Sequence, residues 1–382
     1  MTRTVAAVVV LVVSAGIVAT VAARPVRTGR YVEIPYGIRE DHPWATEGGN
    51  SRRNGRVRAE VPREAPTRVW EQRFRLGRLS PPAVAADGTL YLAGAAGVGA
   101  VQSDGTVRWM QRLGYITGTP SLTPTGDIAV GTSGGALLQI TAQGDVRART
   151  TTGGQVRGAP LVLADGSMVV GAYDQAVHRF DAEGRRLFRV PVPSQVQGAA
   201  VWSKNGEILV PLNDELVVLT PRGDVRTRVP LGATVVAGPA VADDGTIWIL
   251  TLDGGLHQLS PRFAVRTRTD VAGQVAVTTT LAVGRDGAVR VPTRDGALVC
   301  VGPNGTERWR LTGEGGFLGG VTIDMNDVSL LVNEQGVLLA VDPDGTVLWR
   351  ARIDTRVDAP PVAGPTGAVY VATVRGTLQA WL

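Results

Sequence analysis

The sequence predicts an all-β fold: an eight-bladed β-propeller of four-stranded antiparallel blades, closed by an N-terminal strand that pairs with the last blade. Three observations predict it. Turn dipeptides recur about every 40 residues, a period that marks propellers and solenoids. They stand at Asp87-Gly88, Thr125-Gly126, Asp165-Gly166, Asn205-Gly206, Asp244-Gly245, Asp286-Gly287, Asn326-Asp327 and Thr366-Gly367. A second turn position follows 17 or 18 residues after the second member of the first seven pairs, at Gly105, Gly144, Gly184, Gly223, Phe263, Gly305 and Gly345. Short apolar runs lie between the turns, so each repeat is a four-stranded unit whose faces must be covered by neighbouring copies. The third observation is a displaced strand. Thr67-Arg68-Val69-Trp70-Glu71-Gln72-Arg73-Phe74 copies Thr106-Val107-Arg108-Trp109-Met110-Gln111-Arg112-Leu113 but has no three strands before it. The last repeat, beginning near Thr355, reaches Leu382 without a fourth strand. The two deficits match, and closing the ring removes open sheet edges.

Residues 1–23 come first. Val5 to Ala23 carry no charge and are almost wholly apolar, behind a basic start at Arg3. Val21-Ala22-Ala23 suits signal-peptidase cleavage, so the segment reads as an export signal. Its length would also nearly span a bilayer, and Arg24, Arg27 and Arg30 directly after it oppose translocation. A retained anchor facing the periplasm is therefore the alternative. No cysteine stands near residue 23, so no lipidated N-terminus is expected.

Residues 24–66 form an irregular basic arm. Residues 24–75 hold 12 arginines against 7 acids, whereas 76–382 hold 26 basic and 27 acidic residues. The repeat body thus lacks the basic face that phosphate backbones require, which excludes nucleic acid as the expected partner. Isolated charge runs are commonly solvated, and the arm is read that way, with an anionic membrane surface as the other option.

Residues 67–382 are the propeller. The first strand of a blade tends to read (Gly/Ser/Ala)-x-Pro-x-(Val/Leu), as in Gly118-Thr119-Pro120-Ser121-Leu122. Small residues suit the crowded axis, and proline is tolerated because the innermost strand is an edge. Four residues after the second turn position, the outer strand carries Trp109, Ala148, Phe188, Thr227, Thr267, Trp309 and Trp349, with Trp70 as the displaced copy. The tryptophans occupy blades 6, 7, 8 and 1, a continuous arc across the closure, and are expected to staple the seam.

Ala340-Val341-Asp342-Pro343-Asp344-Gly345-Thr346-Val347-Leu348-Trp349 resembles the tryptophan-docking repeat of quinoprotein-like propellers. Trp44-Ala45-Thr46-Glu47-Gly48-Gly49-Asn50-Ser51-Arg52-Arg53-Asn54-Gly55 resembles the W-x-x-x-G-G-N-x-x-R-x-G lead-in of pyrroloquinoline-quinone-like repeat proteins. The resemblance covers nearly all of 44–382. It implies one of two roles: a quinone-dependent dehydrogenase, or a non-enzymatic propeller such as the subunit of the outer-membrane β-barrel assembly machinery.

A quinone dehydrogenase needs a bound divalent cation, a carboxylate base and a stacking pocket, and many members add a ring of adjacent cysteines. This chain has one cysteine, Cys300, best read as a small buried hydrophobe. The blades are even, without long insertions. Most carboxylates sit in Asp-Gly pairs, the preferred two-residue hairpin turn. His42, His178 and His257 are scattered, and no local nucleophile–base motif occurs. The expectation is a non-catalytic protein-interaction scaffold of the envelope that needs no cofactor. Pyrroloquinoline quinone with calcium belongs to the dehydrogenase alternative, and a carbohydrate or cell-wall binder is a third reading. Both turn series fall on one face of the disc. Candidate interaction residues lie on the loops of the other: Tyr115, Arg157, Tyr173, Asp174, Gln197, Asn213, Arg294, Asn333, Glu334, Arg356, Asp358 and Arg375.

Overall fold

A computed structural model describes residues 42–382 apart from 117, 272, 274, 277 and 278. The apolar segment 5–23 and the first part of the arm lie outside the described residues. Among those described, the strands form eight four-stranded sheets arranged as an eight-bladed propeller. In seven blades the strands follow chain order from axis to rim. The eighth is composite: Val362–Ala363, Val369–Ala372 and Thr377–Trp381 are completed at the rim by Arg68–Arg73. That closing pair is antiparallel, with Arg73 opposite Thr377 and Trp70 opposite Ala380. Thr67 and Leu382 exchange both backbone hydrogen bonds, at 2.7 and 3.0 Å.

The apolar pattern of each strand follows from its place in the blade. A middle strand lies between two neighbouring blades and must be apolar on both faces. Leu90–Gly94 and Gly97–Val101 are accordingly buried at every residue. An outer strand faces a neighbour on one side only, so Val146–Thr151 alternates exposed and half-buried residues with period two. Inner strands are mostly two residues long, and in four blades they begin directly after a proline, as in Ser121–Leu122 and Leu161–Val162. They join neighbours through small polar side chains: the Ser121 hydroxyl donates to the Pro160 carbonyl at 2.7 Å.

The Asp-Gly turns differ from the expected two-residue form. The Ala85 N–H donates to Thr89 O and the Gly88 N–H to Ala85 O, both at 2.9 Å. Gly88 sits at φ +81°. This is a three-residue loop, a type I turn followed by a left-handed residue, and Asp87 Oδ1 locks it by accepting the Thr89 N–H.

The tryptophans dock between blades. Trp70 Nε1 donates to Ser103 O at 2.9 Å, Trp109 Nε1 to Ala142 O at 2.8 Å and Trp309 Nε1 to Pro343 O at 2.8 Å. Each indole lies against the left-handed glycine of the next blade's outer turn; a Cβ on Gly144 would stand 2.8 Å from the Trp109 ring. Trp349 has no such turn ahead of it, because the last blade's outer turn is replaced by the seam. It donates instead to Pro62 O at 2.7 Å.

The solvated reading of the arm is corrected for residues 42–63. Trp44 is fully buried, and Ala45, Val57 and Val61 are nearly so. The arm lies across the axial end of the inner strands on the turn face and meets blades in ring order. Carbonyls of Trp44, Ala45, Ser51, Arg52, Asn54 and Gly55 accept the N–H groups of Val84, Leu122, Trp202, Val241, Val283 and Ile323, at 2.7–2.9 Å. Those are the exposed donors that an innermost strand would otherwise present to the channel. Charge did not keep the arm in solvent because its backbone, more than its side chains, makes these contacts.

Candidate functional site

The lead-in motif builds the axial plug. Gly55 runs at φ +69°, and a Cβ there would come within 2.6 Å of the Ala282 side chain; only glycine lets the arm approach blade 6 this closely. Asn50 and Asn54 are joined through their side-chain amides at 2.8 Å. Arg53 is buried; its Nη2 donates to Ala159 O at 3.2 Å, just before blade 3's inner strand, and its Nη1 pairs with Glu47 at 3.1 Å. Arg53 is thus a buried cation with its counter-ion beside it.

Above that plug, on the turn face, lies a pocket of about 640 Å³. The arm lines it with Arg52, Arg56 and Arg58, and the inner turns of blades 5, 6 and 7 supply Asp243, Arg285, Asp324 and Met325. Asp243 Oδ1 receives Arg52 Nη1 at 3.0 Å and Arg56 Nη2 at 2.5 Å. Burial raises the Asp243 pKa, but the Arg56 hydrogen bond and the charges of Arg56, Arg52 and Arg285 outweigh it and hold the carboxyl below its ordinary value. Asp324 is fully buried and committed to the backbone, accepting the N–H groups of Val61, Asn326 and Val328. Sequence reasoning missed this pocket. The one local signal is the arginine run at 52, 53, 56 and 58.

The loop-face candidates separate into two sets. Tyr115, Arg157, Gln197, Asn213, Arg294, Glu334, Arg356 and Arg375 are exposed. Arg157 Nη1 donates to Tyr173 Oη at 3.3 Å, joining two of them. Three candidates make contacts within the chain. Asn333 is buried; its Oδ1 accepts the Val337 N–H and its Nδ2 donates to Glu314 O. Asp358 pairs with Arg78 at 2.6 Å across the closure. Asp174 accepts from the buried His178 Nε2 at 3.1 Å and from Arg189. Burial drives the His178 pKa below its ordinary value, and Asp174 only partly offsets it. The ring is therefore neutral, with its proton on Nε2.

A quinone with calcium would require a cation cage and a flat slot. Among the described residues no three His, Cys, Asp or Glu stand close enough to hold a metal ion. Cys300 is buried with Arg290 Nη1 at 3.0 Å, and burial raises its thiol pKa. The described side chains thus offer no cage for the cation.

A family model described as outer membrane protein assembly factor BamB matches residues 98–244. No curated protein matches the sequence. Among solved structures, the chain is similar to BamB from Moraxella catarrhalis at 16% identity and a TM-score of 0.69, over 83% of this chain and 99% of that one. It is similar to quinohemoprotein alcohol dehydrogenase from Comamonas testosteroni at 14% identity and a TM-score of 0.74, over 90% and 81%. A computationally designed protein, Ika8, has 14% identity and a TM-score of 0.70, over 82% and 99%. At these identities the likeness is one of fold, and a designed chain shares it as readily as an enzyme does.

Proposed function

We propose, for a chain whose family-model match and fold support the pyrroloquinoline-quinone-like repeat β-propeller family, that it is a non-catalytic interaction scaffold of the cell envelope. On this reading residues 5–23 direct export or anchor the chain, and the loop face meets protein partners. The observation that carries it is the axial plug. Arg53 and six arm carbonyls occupy the turn-face end of the axis with the protein's own chain, and eight of the loop-face candidates are exposed. The family model's description, an outer-membrane protein assembly factor, supports envelope assembly as the setting. Shape and polar contacts spread over many loops suit a protein partner better than a small substrate.

Calorimetric titration of the full chain with pyrroloquinoline quinone and calcium tests the reading. The expected result is no saturable heat. Saturable one-to-one binding would overturn it and direct attention to alcohols and sugars. A photo-reactive residue at position 115 or 157 should cross-link to an envelope protein in native membranes, whereas one at the rim position 225 should not.

A further inference from the structure

We propose that the loop face over the ring closure is a docking site for an acidic segment of a protein partner, a reading that rests on the scaffold role and names the chemistry of its partner. Arginines crowd the loops of blades 8 and 1. Arg73 ends the closing strand and Arg75 follows it. Arg356 and Arg375 lie on the loops of blade 8, Arg78 leads into blade 1 and Arg112 leaves it, and every one of these side chains is exposed. The carboxylates on the same loops are Asp354 and Asp358. Asp358 pairs with Arg78 at 2.6 Å, and Asp354 with Arg352 at 3.5 Å. Arg73, Arg75, Arg112, Arg356 and Arg375 form no ion pair among the described residues. The patch therefore keeps a positive excess after its own acids are paired.

The loops that carry these charges are continuous. The Val374 N–H donates to Arg356 O at 3.4 Å, the Phe74 N–H to Gly376 O at 2.9 Å and the Ala96 N–H to Leu76 O at 3.1 Å. A Cβ on Gly97 would stand 2.9 Å from Leu113 N, directly beside Arg112. Tyr115 stands exposed at the end of the strip. Arginine and tyrosine are the side chains that dominate binding energy at protein interfaces, and guanidinium forks meet carboxylates two bonds at a time. Across the ring, the equivalent loops of blades 4, 5 and 6 carry Asp214, Asp253 and Asp295 against Arg294. A lipid surface laid flat on the disc would meet both signs of charge, whereas a partner segment can lie along the basic arc alone. The arc is also a product of closure. Arg73 and Arg75 arrive with the first strand, Arg356 and Arg375 with the last blade, and they meet only in the closed ring. A segment that bridges them stabilises the closed form by mass action.

The test titrates the full chain, in mild detergent at low ionic strength, against a short fluorescent polyglutamate peptide and follows anisotropy. Saturable binding that weakens with added salt is expected. Arg75→Gln combined with Arg375→Gln should weaken it roughly tenfold, as loss of two exposed ion pairs does. Arg222→Gln makes the same kind of charge change on the turn face and should leave binding unaltered. If the first pair lowers the melting temperature, Arg112→Gln with Arg356→Gln takes its place. Saturating peptide should raise the melting temperature of the parent chain and not that of the paired variants. Binding that is absent, or equal in all variants, overturns the proposal. Arc-dependent enrichment on phosphatidylglycerol vesicles without polyglutamate binding also overturns it and assigns a lipid surface. In native membranes, a photo-cross-link from position 115 that the paired substitutions abolish supports the arc. A cross-link from position 197 with none from 115 overturns the arc and leaves the scaffold reading standing. No cross-link from either position, together with saturable quinone binding, overturns both.

Discussion

Phe263 stands where the other outer turns carry glycine, at φ +69°. A side chain there costs about 1–2 kcal/mol in backbone strain. The residue in register with this turn from blade 4 is Thr227, small like Ala148 and Thr267, where the remaining blades carry tryptophan or phenylalanine. The Phe263 ring fills the vacated space, is nearly buried, and lies under the Arg226 guanidinium at 5.7 Å. Burying a phenyl ring returns about 1.5–3 kcal/mol, so burial wins. Phe263→Gly should therefore destabilise the fold by about 1 kcal/mol or more in urea unfolding, although glycine suits the backbone better. Adding Thr227→Trp to Phe263→Gly should recover stability. Trp349 is the most buried of the four docking indoles, and Trp349→Ala should cost about 3–5 kcal/mol. Trp70→Ala and Trp109→Ala should both lower the melting temperature. A loss confined to Trp109→Ala would end the seam-staple reading. His178 and His257 both have pKa values lowered chiefly by burial. A depressed histidine pKa leaves stability complete above the ordinary value of 6.5 and removes it as pH falls through the folded value, because the unfolded chain takes up the proton first. Stability should decline as pH falls below about 6.5, and His178→Gln should flatten the upper part of that decline in pH-dependent melting.

The arm is the element that the sequence showed least. Its motif residues were visible, but its route was not, because the contacts are carbonyls capping strand donors and any residue supplies a carbonyl. Blade strands were legible for the opposite reason: Gly88, Gly105 and their equivalents mark backbone positions with positive φ that few other residues accept. The pocket was illegible because it joins Arg52 to Asp243 across 191 residues, and one sequence cannot reveal such a pairing. The loop candidates were chosen by position, which found exposed residues such as Tyr115 and Arg157 but could not see that Asn333 folds inward onto Glu314. Hydrogen exchange checks the arm directly. The amides of Val84, Leu122, Trp202, Val241, Val283 and Ile323 should be protected in the intact protein. Arg53→Ala, which removes the axial cation and strands Glu47, should speed their exchange before it affects middle-strand amides such as Val170.

At the scale of the whole molecule, stability depends on closure. The closing strand Arg68–Arg73 shields the edge of Thr377–Trp381, whose paired residues are otherwise open to intermolecular strand addition. Replacing Glu71 and Trp70 by proline should block that pairing. The expected result is concentration-dependent oligomers on size-exclusion chromatography, where the parent chain runs as a single species. The ring also imposes an order in time. The arm and the closing strand are translated first, yet every partner they need is translated later. Trp349 and the last blade follow the closing strand by roughly 300 residues, or about 15–60 s of synthesis. For that interval the N-terminal strand has nothing to pair with, and the blades already made remain an open arc. The final turn of the assembly is thus reserved for the oldest part of the chain, and the propeller becomes one body only when its first-made segment returns to meet its last.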